Sequence, residues 1–403
     1  MNIVLLTHPS FLGSQSHPHF ARMLCQAYRE RGHQVELRAP RAVVHAWVAS
    51  RGKRWARWRK WAGYIDQYLL FPKTLRERAA QDPAHTLYVF CDQALGPWIP
   101  VLKHRPHVVH CHDLLALRSA LGLVPENPTS ATGKLYQRYI RHGFRQARHF
   151  ISISHKTKAD LHAYGDVKPV TSEVVYNGLN HPYQRQPREQ ALLTLAQAQL
   201  PAIPEAGMLL HVGGGQWYKN TAGVVRLYAQ FAGNAMQAGQ AVPALWMVSP
   251  PPGPEVQRAL QRVPCEGQVV FFQGLDGAVI EALYSTARAL LFPSLAEGFG
   301  WPIAEGLACG CPVVTTAEPP MNEVGGPWAH YLPRLSQSSE VTAWAAQGAS
   351  LLHGLLNRSA EQQASDATMG MEWAQRYDAR RATDAYLRIY EGVIKGEKSE
   401  DRG

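Results

Sequence analysis

The chain reads as an α/β protein built from two parallel, doubly wound domains, and three observations lead there. Short β-rich runs alternate with helical patterns through the first half, pause near residue 180 and restart near residue 208. At 403 residues the chain is too long for one compact core. One buried run, Ala289-Leu-Leu-Phe-Pro293, leads through a glycine turn into a helix with Pro302 near its start, which is the strand–turn–helix unit of a parallel sheet.

Taken in order, strands are expected at 2–6, 35–38, 87–91, 107–111, 150–154 and 173–176, and then at 208–212, 244–248, 268–272, 289–292 and 312–315. Between the first two, Phe20, Leu24 and Tyr28 recur at helical spacing, and Gly32 is placed to end that helix. The pause at 180–189, rich in Pro, Gln and Arg, reads as an interdomain linker. The expected division is 1–183 and 184–375, followed by a terminal segment, 376–403. Helical patterns dominate after Ser339 and end in a helix over 373–395. The polar tail from Gly396 has the composition of a disordered end.

Hydrophobic residues make up 46% of the chain, enough to fill two cores. Residues 1–9 lack the basic start and long apolar stretch of a signal peptide, and no run approaches the length of a membrane span, so a cytoplasmic chain is expected. Six scattered cysteines form neither a disulfide framework nor a CxxC metal pattern, and reduced, buried thiols are expected. The net charge of +10 favours an anionic partner without choosing among nucleotide, phospholipid, lipid diphosphate and nucleic acid.

The densest chemistry lies in Glu297-Gly-Phe-Gly-Trp-Pro-Ile-Ala-Glu305. A glycine turn at a helix N-terminus presents backbone N–H groups and a positive dipole end, which suits a diphosphate. Glu297 on the turn and Glu305 within the helix face one ligand from different heights. A second signal, His211-Val-Gly-Gly-Gly-Gln-Trp-Tyr-Lys-Asn220, again follows a strand. Gly214 and its neighbours let backbone approach phosphate, and Lys219 neutralises it. A dinucleotide G-x-G-x-x-G fails here, because no third glycine follows. Together the two segments point to the donor site of a nucleotide-sugar enzyme.

The acid pair resembles the E-x7-E motif of retaining glycosyltransferases of family 4, whose GT-B fold consists of two Rossmann-like domains facing a cleft. The resemblance covers nearly the whole chain and is strongest over 208–326. It implies an N-terminal acceptor-binding domain, a C-terminal nucleotide-sugar-binding domain and a last helix that crosses back to the N-terminal domain. It further implies that Glu305 binds the ribose hydroxyls as an ionised acceptor. Glu297 then faces the transferred sugar and counters oxocarbenium charge, while Gly298, Phe299 and Gly300 line the ligand. Gly274 and Leu275 resemble the strand-end segment that holds the nucleotide base. Gly13 and Ser14, after the first strand, stand where the family closes amides over the diphosphate. His112, at the end of the fourth strand, stands where the family sets a histidine against the donor sugar. The family's arginine before the lysine is absent, because Tyr218 occupies that position.

The activity implied is transfer of a hexose from a nucleoside-diphosphate donor, GDP-mannose-like or UDP-linked, to a glycan or polyprenyl-diphosphate-linked acceptor in envelope polysaccharide synthesis. No cofactor is expected, and no metal, since no Asp-x-Asp falls at a strand end. Two alternatives stay open: a catalytically weak GT-B subunit that docks on membrane or a partner enzyme, kept alive by Tyr218, and a nucleotide-sugar epimerase. A last segment, 51–61, interleaves Arg54, Trp55, Arg57, Trp58, Arg59, Lys60 and Trp61. Trp55, Trp58 and Ile65 would share one helical face ringed by cations, the make-up of a segment that docks on anionic membrane. Single-stranded nucleic acid is the other partner such a pattern fits; nothing else in the sequence supports it, and no nucleic-acid partner is expected.

Overall fold

The computed structural model describes residues 1–12 and 16–396. The chain divides into two compact units, one of 1–178 with the returning segment from Arg380, the other of 179–379. Each unit is built on a six-stranded, all-parallel sheet.

The first sheet holds β1 (Asn2–Leu6), β2 (Gln34–Arg38), β3 (Leu87–Phe90), β4 (His107–Cys111), β5 (His149–Ser152) and β6 (Thr171–Val174), in spatial order β2-β1-β3-β4-β5-β6. Alternation along β1 and β3 splits the core between the two faces. Val4, Leu6, Tyr88 and Phe90 pack with Trp98 and Phe144 on one side. Ile3, Leu5, Leu87 and Val89 pack on the other with Phe20, Tyr28 and the inner face of the terminal helix Ala379–Lys395, that is Tyr386, Leu387 and Tyr390. Strands covered on both faces read as continuous apolar runs, which is why they are visible in the sequence.

The second sheet holds β7 (Met208–Val212), β8 (Ala244–Val248), β9 (Val269–Phe272), β10 (Ala289–Phe292), β11 (Val313–Thr316) and β12 (Ala329–Leu332), in order β12-β11-β10-β7-β8-β9. Its strand order reverses between β7 and β10; that of the first sheet reverses between β1 and β3. In open parallel sheets ligands bind outside the carboxyl ends of the strands at such a reversal.

Several expectations are corrected. β12 was not expected, because Ala-His-Tyr-Leu is a half-exposed edge strand with no apolar run. β6 lies two residues earlier than expected. The first unit ends at Gly178 rather than 183, since the linker residues are fastened to the second unit. There the Leu179 N–H donates to Tyr377 O at 2.9 Å, and the Gln184 N–H and Gln186 side chain donate to the Glu281 carboxylate. The expected helix over 373–395 is two helices, with Trp373 in Ala360–Ala374 and a break before Ala379. Five cysteines are buried, but Cys265 is exposed. The tail beyond Gly396 lies outside the described residues. No helix among the described residues is long and apolar enough to cross a membrane.

Candidate active site

At the reversal of the second sheet, the loops after β7 and β10 are sewn together. The Leu295 N–H donates to Tyr218 O at 2.7 Å, and Asn220 Nδ2 donates to Pro293 O at 3.0 Å. Lys219 Nζ donates to Glu297 Oε1 at 2.8 Å, with both side chains largely buried. The ammonium also lies 4.9 Å from the centre of the Phe292 ring. Two glycines permit this geometry. A Cβ on Gly213 would stand 2.8 Å from Nε2 of His211, a wholly buried ring pinned by its Nδ1–H to Leu291 O. Gly300 turns the chain into helix Trp301–Ala308 at φ +100°, which L side chains rarely adopt.

Glu305 lies on that helix, buried, with Oε2 accepting from the Tyr284 hydroxyl at 2.8 Å. Burial pushes its carboxyl up to about 7, against the opposing pulls of the Tyr284 hydrogen bond and the Lys219 charge. In the ligand-free chain Glu305 is therefore less readily ionised than an ordinary carboxyl. An unfolded glutamate releases its proton near 4.5. Folding therefore takes up a proton between pH 4.5 and 7, and stability falls as pH rises through that window, by on the order of 3 kcal/mol. Glu305→Gln is expected to remove this slope. Melting temperatures of both proteins at pH 5 and pH 8 check it, and parallel profiles would reject it.

The remaining expected residues fall as follows. Gly214 lies in the β7 loop, and Gly298 and Phe299 in the β10 turn, where the Phe299 ring meets Tyr377 edge-on at 5.4 Å. Gly274, at φ +67°, and half-buried Leu275 follow β9, at the edge of the same sheet, just before Asp276 caps helix Gly277–Thr286 through the Val279 N–H. His112 belongs to the first unit, just past β4. Its Nε2–H donates to Cys91 O at 2.9 Å and its N–H to Gln93 Oε1 at 3.0 Å, so the ring is held by its own sheet. Gly13 and Ser14 lie outside the described residues. The structure thus brings Lys219, Glu297 and Glu305 together in the second unit.

Sequence reasoning missed Arg334. It follows β12, yet its Nε–H donates to Leu295 O at 2.8 Å, two residues from Glu297. No local signal marks it, because β12 itself was not expected.

The Arg/Trp segment is exposed: Arg54, Trp55, Arg57 and Trp58 lie on the surface, and Trp61 is 62% exposed. The expected single helical face is corrected. Trp55 and Trp58 lie in a 3-10 turn over Lys53–Trp58, and an α-helix begins only at Arg59–Ile65. Buried Asp66 holds this region by accepting the Val43, Val44 and His45 N–H groups. Tyr64 stacks on Tyr136, which extends the surface to Leu69 and Leu135, 68% and 66% exposed.

A model described as Glycosyltransferase Family 4 matches residues 19–181, and one described as Glycosyl transferases group 1 matches 190–353. The O-antigen chain mannosyltransferase RfbU of Salmonella typhimurium is 23% identical over 201 residues, 49% of this chain; the match spans only half of that relative's length. Among solved structures, Anabaena HepE in complex with UDP aligns with a TM-score of 0.68 at 15% identity, covering 97% of this chain and all of that one. WaaG, described as a glycosyltransferase involved in lipopolysaccharide biosynthesis, aligns at 0.67 and 14% with the same coverage. These likenesses show the fold, two parallel sheets of the GT-B kind. With one family model on each sheet-bearing unit, the chain belongs to glycosyltransferase family 4.

Proposed function

We propose that the chain is a retaining glycosyltransferase that moves a hexose from a nucleoside-diphosphate donor to a glycan or lipid-linked acceptor in envelope polysaccharide assembly. The observation that carries this reading is the Lys219–Glu297 pair at the reversal of the second sheet. Lys219 and Arg334 hold the departing diphosphate, Arg334 supplying the charge that Tyr218 lacks. The bond from the sugar's anomeric carbon to the phosphate oxygen breaks, and the acceptor oxygen bonds that carbon on the face just vacated. A diphosphate oxygen takes the acceptor proton, so the step needs neither a protein base nor a metal. The mannosyl name of the RfbU relative and the UDP bound to HepE support two different donors.

A thermal-shift screen against GDP-, UDP- and dTDP-sugars, with free nucleotides as controls, tests the reading. One nucleotide family is expected to stabilise the protein by about 2.7 kcal/mol at a hundredfold excess over Kd, and Lys219→Ala to abolish the shift. Arg334→Ala is expected to weaken it. No shift with any nucleotide would favour the binding-subunit alternative instead.

The same proposal places the enzyme at the inner face of a cytoplasmic membrane. Exposed Trp55, Trp58 and Trp61 beside Arg54, Arg57 and Lys60 support it, since tryptophan favours the bilayer interface and each cation near anionic lipid adds about 1 kcal/mol. Trp58→Ala with Trp61→Ala is expected to release the protein from phosphatidylglycerol vesicles in flotation. Unchanged flotation of the double variant would sink the docking idea.

A further inference from the structure

We infer that Tyr284 is a positioning residue for the donor nucleotide: its hydroxyl holds one oxygen of the Glu305 carboxylate so that the other accepts the ribose hydroxyls. The inference deepens the glycosyl-transfer reading and rests on it. Helix Trp301–Ala308 is buried from Pro302 to Leu307, so Glu305 stands among apolar neighbours, where a leucine or methionine would pack without any desolvation penalty. A carboxyl in such a place needs a partner. Tyr284, wholly buried on helix Gly277–Thr286, is that partner, its hydroxyl donating to Oε2 at 2.8 Å. Other buried tyrosines of this unit are satisfied without an acid: Tyr228 donates to Pro243 O and Tyr377 to Val324 O, both at 2.9 Å.

The tyrosine ring is itself held on two sides. It packs over Gly306, where an added Cβ would stand 3.7 Å from Tyr284 Cδ1, and the Tyr183 ring meets it edge-on from the linker, with centroids 6.0 Å apart. One turn earlier on the same helix, Glu281 fixes that linker by accepting the Gln184 N–H at 2.9 Å and the Gln186 side chain at 3.0 Å. The hydroxyl of a ring fixed in this way occupies Oε2, and Oε1 has no partner among the described residues. An ionised carboxylate oxygen offers two lone pairs, which suits the neighbouring hydroxyls of a ribose. The contact also acts on charge. The groups that face Glu305 are Tyr284, Lys219 from the β7 loop, Tyr183 from the linker and Cys309 at the end of its own helix. Burial raises the Tyr183 hydroxyl and the Cys309 thiol, so neither carries charge at neutral pH. The Tyr284 hydrogen bond and the Lys219 charge are then what favours the carboxylate over the acid. Removing the hydroxyl makes Glu305 harder to ionise, and binding that needs the carboxylate moves to higher pH.

The test titrates the full chain, wild type and Tyr284→Phe, with UDP-glucose, GDP-mannose and dTDP-glucose by calorimetry between pH 6 and pH 9. The substitution keeps the ring and removes one oxygen. With the ribonucleotide sugar that the wild type binds, Tyr284→Phe is expected to weaken binding about tenfold at pH 6 and to recover most of that loss by pH 9. Unchanged affinity, or a loss equal at every pH as packing alone would give, overturns the inference and leaves the donor reading intact. A wild type that binds only dTDP-glucose, which lacks the 2′-hydroxyl, also overturns it, and one that binds none of the three removes the donor reading with it. Should Tyr284→Phe prove less stable, melting temperatures without ligand decide. A steeper fall between pH 5 and pH 8 than in wild type supports the pairing, and a parallel profile overturns it.

Discussion

Glu297→Gln is expected to slow sugar transfer by roughly 10²–10³-fold, about 3–4 kcal/mol in the barrier, while nucleotide binding stays within about threefold. The substitution is nearly isosteric. Its amide oxygen still accepts from Lys219, now 2.8 Å from the carboxylate, so the two loops remain joined through that contact and through the Leu295–Tyr218 and Asn220–Pro293 bonds. What is lost is one negative charge in a largely buried setting, where charge acts on a cationic sugar far more strongly than it would in water. Glu297→Ala is the poorer experiment, because it also strips a buried ammonium of its partner. Single-turnover rates alongside nucleotide thermal shifts separate the two quantities. A Glu297→Gln rate within about threefold of wild type would remove Glu297 from the chemistry.

How much of this was legible in the sequence depended on whether the information was local. The turn from β10 into helix Trp301–Ala308 could be read directly, because glycines, a proline and two acids at fixed spacing sit within a dozen residues; Gly300 at φ +100° is the physical reason for one of those glycines. Lys219 was legible for the same reason, as the end of a short loop after an apolar strand. Arg334 was not, since it reaches Leu295 across two strands from the end of an edge strand with no apolar signature. The state of Glu305 depended on burial, which spacing does not reveal. The tryptophans of 51–61 were legible as a class of surface, but their geometry was not: a uniform helical projection aligns Trp55 with Ile65, whereas the chain changes from a 3-10 turn to an α-helix between them.

Tyr390→Ala is expected to cost the first unit about 3–5 kcal/mol, the largest stability effect among these predictions. Tyr390 is wholly buried on the terminal helix Ala379–Lys395, whose inner face completes the core on one side of the first sheet. Its oxygen accepts from the Tyr28 hydroxyl at 3.2 Å, and its own O–H is then turned to His110 Nε2 at 2.7 Å, inside β4. Burial pulls the His110 imidazole down to about 3, so the ring is neutral and Nε2 accepts. Truncation to alanine empties a tyrosine-sized volume and strands both the Tyr28 hydroxyl and the His110 nitrogen. Tyr390→Phe keeps the volume and loses only the polar contacts, for about 1–2 kcal/mol. The ratio between the two variants, from denaturant titration of the first unit's transition, separates packing from hydrogen bonding. A Tyr390→Ala cost below about 1 kcal/mol would mean that the helix does not carry this unit's core. The depressed His110 value adds a pH dependence of definite sign. The unfolded ring takes up its proton near 6.5 while the folded one resists to about 3, so this contribution is full above pH 6.5 and is lost as pH falls through that window. Tyr390→Ala admits water to the ring and should flatten that acid limb, whereas Tyr390→Phe should keep it.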